Sequence, residues 1–111
     1  MVTDIPLTVR QQIAQAIDGQ TRSARELAHM LRVPERDIEA HLEHIAKSID
    51  GERARRRREG LEDRTFQLLP AVCDDCGFVF RDRTRLTTPS RCPQCRSEHI
   101  MPPRYGIMPV R

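Results

Sequence analysis

Apolar residues recur along the first half of the chain with the spacing of a helix. Val9, Ile13 and Ile17 stand four apart; Ala24, Leu27, Ala28 and Leu31 follow the i, i+3, i+4, i+7 stripe; and Ile38, Leu42, Ile45, Ala46 and Ile49 line one face of a third segment. Start signals precede these stripes. Thr8 and Gln11, and again Ser23 and Glu26, have the spacing of a capping box, and Pro34 stands where a helix accepts proline. Gly19 is expected to close the first helix. Three helices are therefore predicted, the third running from Pro34 to Ile49. Beyond residue 60 the pattern shortens. "RTFQLLPAVC" reads as an extended run up to Pro70, which excludes helix and suits an edge strand. "FVFRD" alternates apolar and polar positions like a strand, and "EHIMPPRYGIM" reads as a return strand interrupted by Pro102 and Pro103. The predicted fold class is α+β.

The link between the second and third helices, "LRVP", is very short. A short helix, a tight turn and a longer helix make a helix-turn-helix arrangement, with one extra helix in front. Ala28 is small enough for the two helices to cross closely, and Val33 fills the apolar turn position. Arg32 stands where such turns usually carry glycine, so it is expected to take a positive φ. Pro34 replaces the usual Ser or Thr cap. The plain alternative is a three-helix bundle.

Composition sharpens this picture. Hydrophobic residues make up 38% of the chain and aromatic ones only 4%, with no Trp, so stability must come partly from something other than one large core. No apolar run approaches the roughly 20 residues of a membrane span, and "MVTDIPLTVRQQ" lacks the pattern of a signal peptide. The expected location is the cytoplasm, where thiols stay reduced and paired cysteines bind metal more often than each other.

The chain has four cysteines, and all fall in "CDDCGFVFRDRTRLTTPSRCPQC". Two C-x-x-C pairs at the ends of a hairpin can set four sulfurs around one tetrahedral point, the closed shell of structural Zn²⁺. Cys73, Cys76, Cys92 and Cys95 are the expected ligands of one structural ion, with iron as a possible substitute. Such a shell leaves no position open for a substrate. A redox C-x-x-C belongs at a helix start after a strand, and neither pair has that setting. Gly77 follows the second cysteine at a position expected to need a left-handed backbone. His99 is expected to be an exposed strand residue, and Phe78, Phe80 and Tyr105 to form a small core within the ribbon.

Charge divides unevenly. The net charge is +3, with residues 1–50 at −2 and residues 51–111 at +5; of the basic residues only Lys47 is not Arg. Genome composition alone can produce that skew, although Arg also suits phosphate recognition. On the third helix Arg36, Ala40, His41 and His44 are candidate contacts to bases, opposed by Glu35, Asp37, Glu39 and Glu43, which repel DNA. "RARRRREG" then places Arg53, Arg55, Arg56, Arg57 and Arg58 after the helix as candidate phosphate contacts, or as a solvated helix end.

Through "CDDCGFVFRDR", "PSRCPQCRSEHI", "PPRY" and "HLEHIAKSI", the chain resembles small predicted transcriptional regulators of archaea and bacteria that fuse a winged helix to a C-terminal zinc-ribbon or rubredoxin-like module. The resemblance implies a helix-turn-helix unit over residues 1–64 and wing strands with the Cys₄ ribbon over 65–111, the strands before Cys73 and after Cys95 forming the two sides of the wing. It also implies a non-enzymatic regulator that binds double-stranded DNA, as monomer or homodimer and without a membrane. Arg81, Arg83, Arg85 and Arg91 would face DNA or a partner. The rival expectation is an adaptor that meets another protein through the acidic third helix and the ribbon.

Overall fold

The computed structural model describes residues 7–81 and 86–110. Its elements run α1 (Val9–Ala16), β1 (Arg22–Ser23), α2 (Ala24–Leu31), α3 (Glu35–Arg58), β2 (Arg64–Leu69), β3 (Val72–Cys73), β4 (Ile100–Met101) and β5 (Arg104–Pro109). The fold is α+β. Three helices pack on a three-stranded antiparallel sheet of order β1-β5-β2, and β3 and β4 pair separately to form the ribbon's stem.

Both capping boxes form. Thr8 Oγ1 accepts from the Gln11 amide while the Gln11 side chain accepts from the Thr8 amide, and Ser23 and Glu26 do the same for α2. The α2–α3 turn also follows the sequence reading, with Arg32 in the left-handed region at φ 57° and the Val33 amide donating to Ala28 O at 3.2 Å. α1 is tied to the sheet at its C-terminal end, where the Gly19 amide donates to Ile107 O and the Ile107 amide to Ile17 O, both at 2.8 Å.

The core gathers one stripe from each helix. Ile13, Ile17, Leu27, Ile38 and Leu42 are fully buried, and Ile45 and Ile49 nearly so. β5 closes this core from below with Tyr105 and Ile107, and Phe66 and Leu68 of β2 pack at its margin. Tyr105 therefore belongs to the helical core, stacked on Phe66 at 6.3 Å, and not to a ribbon core. Phe78 and Phe80 do pair with each other, edge to face at 5.1 Å. Gly106 allows the β1 side to approach β5, since a Cβ there would come within 2.9 Å of Gln20 O.

The third helix does not end at Ile49. It continues through Gly51 and the arginine run to Arg58, 24 residues in all and about 36 Å long. An internal glycine costs roughly 1 kcal/mol relative to alanine, but Arg is a good helix former and cations are favoured in the last turn. The stop comes at Gly60, φ 72°, where the Leu61 amide donates to Arg56 O at 2.8 Å and the Gly60 amide to Arg57 O at 3.2 Å. That pair of bonds is a Schellman cap.

A carboxylate then folds the chain back. Asp63 accepts two bonds from Arg53 (3.2 and 3.1 Å) and two from Arg57 (3.2 and 2.9 Å). Arg64 adds an ion pair to Glu52 at 3.3 Å. Extended structure is also less continuous than expected: β2 stops at Leu69, Pro70 and Ala71 intervene, and of "FVFRD" Val79 forms one bridge to Val72. Asp82 lies outside the described residues.

Hydrogen bonds from Arg53 and Arg57 hold the Asp63 carboxyl down at about 2, from an ordinary 3.8. A lowered folded-state pKa adds stability above the unfolded value, and that stability disappears as pH falls through the folded one. Asp63→Asn is thus expected to lower the melting temperature at pH 7, and the gap to the parent protein should close between about pH 4 and pH 2. Melting curves of both proteins over that range check it; a gap that persists at pH 2 would contradict the clamp.

Candidate metal centre and charged helix face

β2 and β5 deliver the chain to the cysteines at their far ends, through β3 and β4. The two cysteine pairs sit in matched turns. Cys73 and Cys92 are buried, Cys76 and Cys95 exposed. In the first turn the Gly77 amide donates to Cys73 O at 2.9 Å and the Cys73 amide to Phe78 O at 2.8 Å. In the second, Arg96 donates to Cys92 O and Cys92 to Ser97 O at the same two distances. Gly77 has φ 80°, as expected, and Arg96 repeats it at φ 63° with a full side chain. The second left-handed position carries no glycine, which is why it was not evident in the sequence.

All four Sγ atoms lie within 4.8 Å of one another. Cys73 and Cys95 approach to 3.5 Å and Cys76 and Cys92 to 3.6 Å. These separations are far beyond a disulfide and bracket the roughly 3.8 Å edge of a tetrahedron with metal–sulfur bonds of about 2.3 Å. Backbone amides complete the cage by pointing at sulfur. The Phe78 amide faces Cys76, the Ser97 amide faces Cys95, and the Gln94 amide faces Cys92 at 3.4 Å.

Without metal the thiols hold their protons unevenly. Burial raises Cys92, but the Cys95 and Gln94 amides and the neighbouring thiols outweigh it and bring it down to about 7. At Cys76 the Phe78 amide lowers the thiol, yet burial and three nearby sulfurs push it up to about 12. A metal ion must displace these protons, so affinity for a metal falls as pH drops.

His99 is exposed, in the turn before β4, and is not part of the sulfur cluster. Its Nδ1 lies 3.1 Å from Asp75 Oδ2, which also accepts from Ser97 Oγ. Asp75 comes from the first turn and Ser97 from the second, so this bond braces the two halves of the cage. The ribbon also reaches the helical core: Leu86, between the cysteine pairs, packs against it, and its carbonyl accepts from the Tyr105 hydroxyl.

The DNA candidates separate. Arg36, Ala40 and His44 are exposed on α3. His41 is half-buried and turned towards α1, with Arg10 Nε 3.4 Å from its Nδ1. In the arginine run, Arg53 and Arg57 are held by Asp63, and Arg56 Nε donates to Glu62 O at 2.9 Å. Arg55 and Arg58 have exposed side chains without an ion pair among the described residues. On the ribbon, Arg81 is exposed and Arg91 pairs with Glu98 at 3.6 Å; Arg83 and Arg85 lie outside the described residues.

At 100° per residue, Arg36, Ala40, Glu43, His44, Lys47 and Arg58 fall on the stripe opposite Ile38, Leu42, Ile45 and Ile49. That stripe carries three cations and one carboxylate. Glu35, Glu39 and Glu43 stack along one flank, where burial and its two acidic neighbours raise Glu39. Of the acids that counted against a nucleic-acid contact, Glu35 and Glu39 therefore lie on a flank, while Glu43 borders the outer stripe.

This order of parts has counterparts. Residues 8–57 match the family model of the PF0610-like N-terminal domain, and residues 70–108 match that of the PF0610 rubredoxin-like zinc β-ribbon domain. The chain thus joins a PF0610-like N-terminal domain to a rubredoxin-like zinc β-ribbon domain that carries the four-cysteine cluster. Among solved structures it is similar to PF0610 from Pyrococcus furiosus, determined by solution NMR. The two are 29% identical, the match covers 96% of this chain and 94% of that one, and the TM-score is 0.51. No curated protein matches. Among the described residues no helix is long and apolar enough to cross a membrane.

Two outcomes test the metal centre. Cys76→Ser is expected to abolish tight metal binding and to lose hydrogen-exchange protection over residues 71–101, while α1, α2 and the first half of α3 stay protected; retained ribbon protection would show that the metal is not structural. Gly77→Ala is expected to cost about 1 kcal/mol through its left-handed backbone, whereas Arg96→Gly relieves the same strain and should leave the ribbon at least as stable. Thermal unfolding of the two zinc-loaded variants checks the contrast.

Proposed function

We propose that this protein is a non-enzymatic, cytoplasmic DNA-binding regulator built as a winged helix, with the zinc ribbon as an elaboration of the wing. The observation that carries the reading is the outer stripe of α3. Arg36, Lys47 and Arg58 follow one another at eleven-residue intervals, about three turns and roughly 16 Å apart, on the side facing away from the core. A major groove is about 12 Å wide, so a helix lying in it can set its outer cations against the phosphates that border it. Ala40 and His44, between Arg36 and Lys47, are the residues that approach bases.

The arrangement around α3 supports the same reading. A short helix, a turn held by left-handed Arg32, and α3 lie against a β1-β5-β2 sheet whose two long strands rise into the ribbon, as the strands of a wing do. The Cys₄ site holds a structural zinc ion, whose closed shell stabilises the ribbon and leaves no position for catalysis. A second reading, an adaptor for another protein, is favoured by the Glu35–Glu39–Glu43 flank, which would meet a basic partner surface.

Affinity measured over a range of salt separates them. Arg36→Ala, Lys47→Ala and Arg58→Ala are each expected to reduce the salt slope of duplex binding by roughly 0.9. Arg53→Ala should leave the slope unchanged and lower the melting temperature, because Arg53 serves Asp63. Slopes unaffected by the three outer substitutions would remove α3 from the interface; no duplex binding at low salt would leave the adaptor.

A further inference from the structure

Between α1, the middle of α3 and β5 lies an open cavity of about 270 Å³. Its floor is apolar, made by Ala14, Ile45, Ile49 and Ile107, three of them core residues whose remaining exposure faces it. Its rim is charged. Arg64 gives Nη2 to Glu52 at 3.3 Å, but its Nε is the one buried side-chain donor without a partner among the described residues. An unpaired buried donor is costly, and native structures seldom leave one without a reason. Arg10 Nε donates to His41 Nδ1 at 3.4 Å and is paired with no carboxylate among the described residues. Asp18, at the α1 end, is likewise free of an ion pair.

We infer that this cavity is a binding site for a small carboxylate with a branched apolar body. The apolar floor takes the hydrocarbon, and the guanidinium of Arg64, held at Nη2 by Glu52, gives its remaining N–H groups to the carboxylate. Arg10 supplies the second positive charge. At the ~30 Å³ that a water molecule occupies in the liquid, the volume holds about nine heavy atoms, the size of a six-carbon acid. Asp18 decides between two sources of the same chemistry: a plain carboxylic acid uses the arginines alone, and an α-amino acid adds an ammonium contact to Asp18. The site is remote from the metal and does not depend on DNA binding.

The test follows the isoleucine methyl signals of the full-length, zinc-loaded protein during titration with 4-methylpentanoate, leucine and 4-methylpentylamine. The expected result is saturable shifts at Ile45, Ile49 and Ile107 with at least one carboxylate at about millimolar concentration, and none with the amine. Tighter binding of leucine than of 4-methylpentanoate adds the Asp18 contact to the site. Arg64→Met should weaken binding roughly tenfold or more, the loss of a charge-assisted bond. Ala14→Leu fills the floor without touching a charge, so it should abolish binding in a protein that still folds. The inference is overturned if no carboxylate shifts these methyls at about 10 mM, if the amine shifts them equally, or if Arg64→Met binds as tightly as the parent.

Discussion

The ladder between Arg64–Leu69 and Arg104–Pro109 is the constraint on which the other parts depend. It brings the last strand of the chain beneath the helices, where Tyr105 and Ile107 close a core that the helices alone leave open on one side. It also fixes the distance between the two ends of the ribbon. Thirty-four residues separate Leu69 from Arg104, and the chain must order or close that loop. A metal joining the cysteine pairs cuts the effective loop to roughly a dozen residues, which by loop-closure entropy is worth about 1 kcal/mol to the ladder. The metal thus matters mainly to the ribbon itself, whose buried apolar content is small beside that of the helical core. What couples the two parts specifically is the contact of Leu86 with Tyr105, a bond between the ribbon's long loop and the strand at the centre of the sheet.

Features written within a few residues were legible in the sequence. Both capping boxes, the left-handed Arg32, the left-handed Gly77 and the convergence of four cysteines depend on local geometry, and each was readable from spacing alone. The misjudged features depend on partners far away. α3 was expected to stop at Ile49 because the apolar stripe stops there, yet a helix continues wherever its C-terminal carbonyls find donors, and Gly60 supplies them about three turns later. The "EG" after the arginine run was the available signal. The acids Glu59, Glu62 and Asp63 were the second, since carboxylates following so many arginines invite pairing. Tyr105 was expected in the ribbon because the chain has so few aromatics to build a core there; only the sheet order, with β5 at its centre, carries it into the helical core. The cavity was invisible because its walls come from α1, α3, β2 and β5, and no local pattern records a gap between them.

The arginine run bears on how selective a phosphate-binding helix can be. Five free arginines at a helix end would attract any polyanion, and binding of that kind carries no sequence information. Here two share the single carboxylate of Asp63 and a third is bonded to the Glu62 carbonyl, so they fasten the end of α3 to the segment before β2, although Arg57 stays largely exposed. What remains is Arg58 in line with Lys47 and Arg36, and Arg55 beside it. That converts a diffuse positive patch into a row of point contacts with fixed spacing. The Glu35–Glu39–Glu43 flank sharpens it further, because a duplex that rolls towards that side meets three carboxylates. In the proposed complex, attraction along one line and repulsion beside it restrict how the helix can lie in the groove. A net charge of only +3, small for a general nucleic-acid binder, is the expected consequence of that arrangement.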